Sequence, residues 1–106
     1  MIEPLRKHLE ILIVEDYHFN IMAMQLMLDQ IASKLKLDLD IASAVNGLEG
    51  LKVLGEKRFD LVFVDLNMPV MNGLEMMQRL KDLQFEVEKA SLEKTIFILC
   101  TAQSEE

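Results

Sequence analysis

The sequence predicts an α/β fold, in which helices cover both faces of a doubly wound parallel sheet. Three short runs, residues 11–14, 61–64 and 95–100, are apolar at nearly every position and suit strands that are buried on both faces. Segments with the apolar spacing of helices lie between these runs. Strands and helices that alternate along a chain form parallel sheets, because each crossover helix returns the chain to the same edge of the sheet.

The first half of the chain supplies two strands and two helices. After the strand at 11–14, a helix is predicted from Asn20 to about Lys36, where no Gly or Pro interrupts the apolar spacing. Residues 37–41 alternate apolar and acidic side chains, which is typical of a half-exposed edge strand. A second helix is predicted over 46–54, and Gly55 is interpreted as its stop signal.

The second half continues the alternation. The strand at 61–64 is followed by a loop that contains Pro69, and a third helix is predicted from Asn72-Gly73 to about Leu83. Residues 84–94 are polar and acidic with little periodicity, and we interpret them as a loop or a frayed helix extension that precedes the strand at 95–100. The predicted order is therefore β-α-β-α-β-α-β.

Composition narrows the classes of function. The 106 residues suffice for one domain, and 51% of them are apolar, which excludes a wholly disordered chain. The net charge of −7, with scattered basic residues, argues against direct nucleic-acid binding. No apolar run is long enough to span a membrane. Cys100 is the single cysteine, so no internal disulfide can form and we expect a cytoplasmic location.

Carboxylates and a hydroxyl follow the ends of the predicted buried strands. Glu15 and Asp16 follow the first strand, Asp65 the second, and Thr101 the third. The carboxyl ends of parallel strands share one edge of a sheet, which is where α/β proteins bind ligands. Clustered carboxylate oxygens suit Mg²⁺, an ion that also binds phosphate. Asp65 can then act as a nucleophile toward phosphorus, with the Thr101 hydroxyl and the Ala102 amide as donors.

Each of these residues has an ordinary structural explanation when it is taken alone. A Glu-Asp pair after a strand caps a helix or lies in a solvated turn, and an isolated aspartate or threonine terminates many strands. Pro69 and Gly73 are common loop residues. The functional interpretation depends on matching chemistry at the ends of separate strands along one rim.

The residues of these motifs, taken in order along the chain, resemble those of a known family. The segments Ile-Leu-Ile-Val-Glu-Asp at 11–16 with Asn20, Asp-Leu-Asn-Met-Pro-Val-Met-Asn-Gly at 65–73, and Thr101-Ala102 occur in this order. Together with Ala-Val-Asn-Gly-Leu-Glu at 44–49, they resemble the receiver domain of two-component response regulators. The opening motif is most similar to receivers found in, or served by, hybrid histidine kinases. The resemblance implies a flavodoxin-like (CheY-like) fold and covers nearly the whole chain.

The resemblance also implies roles for individual residues. Asp65 is the phosphoacceptor, which takes a phosphoryl group from a phosphohistidine on a histidine kinase or a histidine phosphotransfer domain. Glu15, Asp16 and Asp65 hold Mg²⁺, together with the backbone carbonyl of Asn67. Thr101 donates a hydrogen bond to the phosphoryl group, and Ala102 contributes its backbone N–H. Such a domain catalyses its own phosphorylation and dephosphorylation and is not a conventional enzyme.

Two departures from the family pattern affect these expectations. Residues 84–94 make the interval between Asp65 and Thr101 longer than is usual, which indicates an insertion. The family normally continues with a fourth helix, a fifth strand that ends in lysine, and a fifth helix, whereas this sequence ends at Glu106. We therefore expect residues 1–106 to form an incomplete receiver that lacks the last strand and helices.

An incomplete receiver would have an open sheet edge, and its function has an alternative to phosphotransfer. An uncovered strand at 95–100 is an edge on which copies of the chain can associate. The alternative to phosphotransfer is a pseudo-receiver, a docking module that keeps the fold and is not phosphorylated. The intact set of Glu15, Asp16, Asp65 and Thr101 favours phosphotransfer, since a docking module needs none of these groups.

Overall fold

The structure, a computed structural model, describes residues 7–68, 70–83 and 94–100. In these residues the predicted α/β fold is confirmed. Four parallel strands form one sheet, and a helix connects each strand to the next strand along the chain. The elements are β1 Lys7–Val14, α1 His18–Leu35, β2 Leu37–Ala44, α2 Gly47–Glu56, β3 Leu61–Asp65, α3 Gly73–Leu83 and β4 Ile96–Cys100.

The strand order creates a crevice at the carboxyl edge of the sheet. The strands lie in the order β2-β1-β3-β4, so the chain goes to one side of β1 first and to the other side afterwards. Connections therefore leave β1 and β3 in opposite directions, which opens a crevice between their carboxyl ends. Val14 is the register partner of Val64 on the neighbouring strand, and this pairing brings the residues that follow β1 beside the end of β3.

Apolar side chains on the two faces of the sheet form two cores. On one face, Leu12, Val14, Val62 and Val64 are fully buried and pack with residues of α2, α3 and their loops. On the other face, α1 covers the sheet, and its Ile21 is buried with two residues of β1. The remaining buried members of the two cores are Ala44, Phe59, Met68, Met71, Met76 and Leu80 on the first face, and Ile11 and Ile13 on the second. Both faces are thus covered by helices, as predicted.

Helix α1 ends where its backbone turns into the left-handed conformation. Lys36 has φ 57° and ψ 49°, and its N–H donates to the carbonyl of Ala32, which closes the helix without a glycine. The spacing predicts an apolar face that includes Ile31 and Leu35, but both side chains are exposed. The structure buries the first part of that face: Ile21 is buried, and Met24 and Leu28 are partly buried against β1 and β2.

The prediction that Gly55 stops the second helix is wrong. Helix α2 runs from Asn46, whose side chain accepts from the N–H of Glu49 at 2.8 Å, to a cap at Lys57 with extended backbone. No glycine in the described residues has a positive φ, so Gly55 is an ordinary helical residue. A glycine signals a helix end only where the left-handed conformation is adopted.

Strand β4 is less buried than its sequence predicts. Ile96, Ile98 and Leu99 are exposed, although the run is apolar enough for a strand with both faces covered. Within the described residues β4 pairs with β3 alone, and its other edge is unpaired. Except for Lys94, the predicted insertion at 84–94 lies outside the residues that the structure describes. None of the helices described combines the length and apolarity that crossing a bilayer requires.

The glycines of α2 allow a test of the packing. A Cβ atom at Gly47 would lie 2.6 Å from the carbonyl oxygen of Met71, whereas one at Gly55 would meet no atom within 4 Å. We expect Gly47→Ala to lower the free energy of unfolding by about 1–3 kcal/mol, because backbone must move. Gly55→Ala is expected to raise it by about 0.5–1 kcal/mol through helix propensity. Urea unfolding measures both, and equal effects would contradict this packing.

Candidate functional site

Three carboxylates meet at the crevice between β1 and β3. Glu15 and Asp16 directly follow β1, and Asp65 is the last residue of β3. One carboxylate oxygen from each of the three lies within 4.8 Å of the others. The structure therefore brings together the three acids that the sequence singles out as metal ligands.

The backbone and the side chain of Glu15 are both held in place. Its N–H donates to the carbonyl oxygen of Ala44 at 2.9 Å, which extends the pairing of β1 with β2 by one residue. The side chain is 6% exposed, and its carboxylate accepts hydrogen bonds from the Asn20 side-chain amide and from the Asp16 N–H at 3.2 Å. Asp16 is exposed, so the cluster has one buried acid and one that faces solvent.

The surroundings of Glu15 raise its pKa to about 7. Burial is the largest cause, because it disfavours the charged form, and the carboxyl group of Asp65 adds to it. The hydrogen bond from Asn20 acts in the opposite direction and lowers the pKa. Without a cation, Glu15 is therefore partly protonated near neutral pH, and a cation that enters the cluster would compete with that proton.

The loop after β3 holds Asp65 from its own side. The N–H of Asn67 donates to Oδ1 of Asp65 at 3.0 Å, so the aspartate caps its own turn. Met68 and Met71 are buried in the core and anchor the loop on either side. A Cβ atom at Gly73 would lie 2.6 Å from the carbonyl oxygen of Asp65, which shows how closely the start of α3 packs against this strand end.

A cleft of about 260 Å³ adjoins the carboxylates on the α1 side of the sheet. Glu15 and Asp65 line it together with Cys100, whose pKa is raised by burial and by the two carboxylates. Among the described residues, the side chains grouped closely enough to share a metal ion are Glu15, Asp16 and Asp65, so the donors here are oxygen atoms. An all-oxygen donor set fits Mg²⁺.

The other predicted site residues are only partly described. Thr101 and Ala102 lie outside the described residues. Cys100, directly before them, is the register partner of Asp65, and its carbonyl accepts from the N–H of Leu66 at 3.0 Å. Asn67 lies beside Asp65, as the contact of its N–H shows, and the metal-binding role of its carbonyl stays a prediction.

The contact between Asn20 and Glu15 was not predicted from the sequence. The motif includes Asn20, but the spacing of Asn20 from Glu15 does not predict that the two side chains meet. A turn separates them, because Glu15 follows β1 and Asn20 lies in α1. The available signal is its position in the first turn of α1, where a short amide side chain can reach back toward the end of β1.

Comparison with known proteins places this site in a family. The model of the response regulator receiver domain matches residues 11–106. The chain belongs to this family. Within it, Asp65 and the two acids after β1 occupy the carboxyl edge of the receiver sheet.

Relatives with similar sequences include large signalling proteins. The chain is 43% identical over 68 residues to hybrid signal transduction histidine kinase G of Dictyostelium discoideum, a match that covers 64% of this chain and 2% of that protein. It is 34% identical over 79 residues to the sensory/regulatory protein RpfC of Xanthomonas campestris, covering 74% of the chain and 10% of the relative. The chain thus spans a tenth or less of the length of these curated relatives.

Solved structures show the same architecture. The receiver domain of a signal transduction histidine kinase from Syntrophus aciditrophicus matches 92% of this chain and 64% of its own, with 28% identity and a TM-score of 0.70. A Saccharomyces cerevisiae complex between a histidine phosphotransfer signaling protein and the receiver domain of its downstream response regulator matches 96% of this chain and 69% of that one. Its identity is 26% and its TM-score 0.65.

The raised pKa of Glu15 predicts a pH dependence of stability. Because this pKa moves from 4.5 in the unfolded chain to about 7 in the folded one, the folded state holds the proton more tightly. Deprotonation at rising pH then costs stability, so in metal-free buffer the free energy of unfolding should fall between pH 4.5 and 7. The loss through this group is up to about 3 kcal/mol.

Urea unfolding across this pH range, in chelator, compares the unmodified chain with Glu15→Gln, which should lack this part of the slope. Glu56→Gln, at an exposed glutamate in α2, serves as the control and should keep the slope. An unchanged slope in Glu15→Gln would show that another group is responsible.

Proposed function

We propose that this chain is the phosphoacceptor receiver of a two-component phosphorelay and takes a phosphoryl group onto Asp65. The observation that carries the proposal is the convergence of three carboxylates within 4.8 Å at the carboxyl ends of β1 and β3. The chain's membership in the receiver family supports it.

Mg²⁺ is the proposed cofactor, and Glu15, Asp16 and Asp65 would hold it with the carbonyl of Asn67. When bound, the ion would offset the repulsion among the carboxylates and bind phosphoryl oxygens. The oxygen-only donors support a hard cation. Asp16 is exposed and supplies charge on the solvent side, where a phosphodonor would approach.

The chemical step we propose is a displacement at phosphorus. A carboxylate oxygen of Asp65 attacks the phosphorus of a phosphohistidine, the P–N bond breaks, and an acyl phosphate forms on Asp65. The electron pair of the broken bond stays with the imidazole, which takes up a proton from solvent. Thr101 and the N–H of Ala102 are proposed as donors to the phosphoryl oxygens, since Cys100, directly before them, lies opposite Asp65.

The proposed partner is a histidine kinase or a histidine phosphotransfer domain, acting in the cytoplasm. Its histidine must reach Asp65, so its surface must contact the rim of the crevice. The start of α1 offers an apolar contact there, which we call the apolar rim: Tyr17, Phe19 and Met22, which are 57%, 69% and 49% exposed. The centroids of the two aromatic rings lie 5.8 Å apart, and exposed aromatic side chains are enriched in protein interfaces. The yeast complex of a receiver with a phosphotransfer protein supports this class of partner.

Replacing the phosphoacceptor tests the proposal directly. Incubated with Mg²⁺ and phosphoramidate, whose P–N bond resembles that of phosphohistidine, the chain should gain one phosphoryl group by intact-mass spectrometry. Asp65→Asn should show no gain, because an amide cannot attack phosphorus in this way. Omission of Mg²⁺ should slow the reaction by at least about tenfold.

Asp82→Asn, an exposed aspartate in α3, is the matched control and should be phosphorylated like the unmodified chain. A phosphoryl group that persists in Asp65→Asn would place the acceptor elsewhere. No phosphorylation of the unmodified chain, together with binding of a phosphotransfer protein, would favour the alternative of a non-phosphorylated docking module.

We also propose that the 106-residue chain, taken alone, self-associates through β4. In the described residues, the outer edge of this strand has no partner for its backbone N–H and carbonyl groups, and Ile96, Ile98 and Leu99 are exposed along it. Two copies related by a twofold axis can pair these edges as antiparallel strands and bury apolar side chains on both faces.

A charge on this edge should disrupt the association. We expect Ile96→Lys to raise the dimer dissociation constant by at least about tenfold, because the ammonium group would have to be buried against the partner strand. Sedimentation equilibrium measures it. Leu48→Lys, at a similarly exposed position on α2, should leave the constant unchanged. An unmodified chain that stays monomeric at high concentration would refute this mode of association.

A further inference from the structure

The first turn of α1 has an unusual arrangement of polar groups. Tyr17 occupies the N-cap without a side-chain hydrogen bond, and no acidic residue lies in the first turn. Asn20 is the third helical residue, where a capping box places a glutamate or glutamine that reaches back to the N-cap backbone. Here the Asn20 amide donates instead to Oε1 of Glu15, two residues before the cap. Helix capping therefore does not account for this side chain.

The contact completes a set of donors around the buried acid. Asn20 binds Oε1 of Glu15, and the N–H of Asp16 binds Oε2 at 3.2 Å. Each carboxylate oxygen has two lone-pair directions, so one direction on each oxygen stays available for a cation. With a donor on each oxygen, rotation of the carboxylate would break at least one hydrogen bond.

A competing contact explains why such a restraint matters. One carboxylate oxygen of Asp65 lies within 4.8 Å of one carboxylate oxygen of Glu15. A Glu15 carboxylate that rotated further toward Asp65 would turn an oxygen away from the position of an ion, and the hydrogen bond from Asn20 opposes that rotation.

We propose that Asn20 is a positioning residue for the cation site, and that its side-chain amide holds the Glu15 carboxylate in the orientation in which it can bind Mg²⁺. Asn20 acts through Glu15 and does not itself touch the ion. The proposal rests on the proposed function, because it presupposes that the carboxylate cluster binds Mg²⁺. It adds a determinant of metal affinity that lies on α1, outside the cluster of acids.

Titration with MgCl₂, followed by the amide NMR resonances of Asp16 and Asp65, tests this on the metal-free chain without any phosphodonor. Asn20→Ala should raise the dissociation constant for Mg²⁺ by about ten- to a hundredfold, the effect expected when one hydrogen bond to a charged group is lost. Asn20→Leu, which keeps the bulk of the side chain, should have the same effect. Gln30→Leu, at an exposed position of the same helix, should leave the constant unchanged.

A double-mutant cycle separates positioning from a general effect on folding. In the Glu15→Gln background, Asn20→Ala should change Mg²⁺ affinity by less than about twofold, because its route to the ion has been removed. An equal loss in both backgrounds would overturn the proposal, as would an unchanged affinity in the single variants. Absence of Mg²⁺ binding to the unmodified chain would refute the proposed function and this inference together. Binding that Asn20→Ala leaves intact would refute only the inference.

Discussion

Electrostatic repulsion among three carboxylates is the constraint on which the site depends. With ligand oxygens within 4.8 Å of one another, like charges repel by on the order of 3–4 kcal/mol per pair at an effective dielectric constant near 20. Burial of Glu15 increases the cost, and its raised pKa shows that a proton offsets part of it in the absence of metal. Such a site attracts positive charge, and a cation that replaces the proton relieves the repulsion among the carboxylates.

The fold imposes this arrangement from one side of the sheet. Parallel pairing of β1 with β3 places two strand ends together, and the α2–α3 side holds them by close contacts. Gly47 approaches the carbonyl of Met71, and Gly73 that of Asp65, at distances that leave no room for a Cβ atom. The carboxylates cannot relax apart by moving this loop, since its two methionines are in the core.

The sequence predicts the elements, the parallel sheet and the convergence of Glu15, Asp16 and Asp65. The hydrophobic pattern indicates where strands end, and parallel topology places those ends at one edge of the sheet. It does not predict the contact of Asn20, since a side-chain hydrogen bond between elements depends on how α1 leaves the sheet. The sequence also does not predict how far β4 is buried. An apolar run indicates that a strand can be buried, but its exposure depends on which elements pack against it. Backbone conformation is not predicted at Gly55 either: the sequence indicates a helix end there, but Gly55 lies inside α2 and has no positive φ.

The site is open on the α1 side of the sheet, where a cleft adjoins Glu15, so a surface that covered this cleft would affect metal binding. The cleft beside Glu15 is bounded by Met24 of α1, Phe63 and Cys100, and its polar lining includes Asn20 and Asp65. A surface that closes this cleft would exclude water and lower the local dielectric constant, which strengthens both the repulsion among the carboxylates and their attraction to a cation. Under those conditions a neutral donor such as Asn20 gains importance, because it stabilises the charged form of Glu15 without competing for the ion.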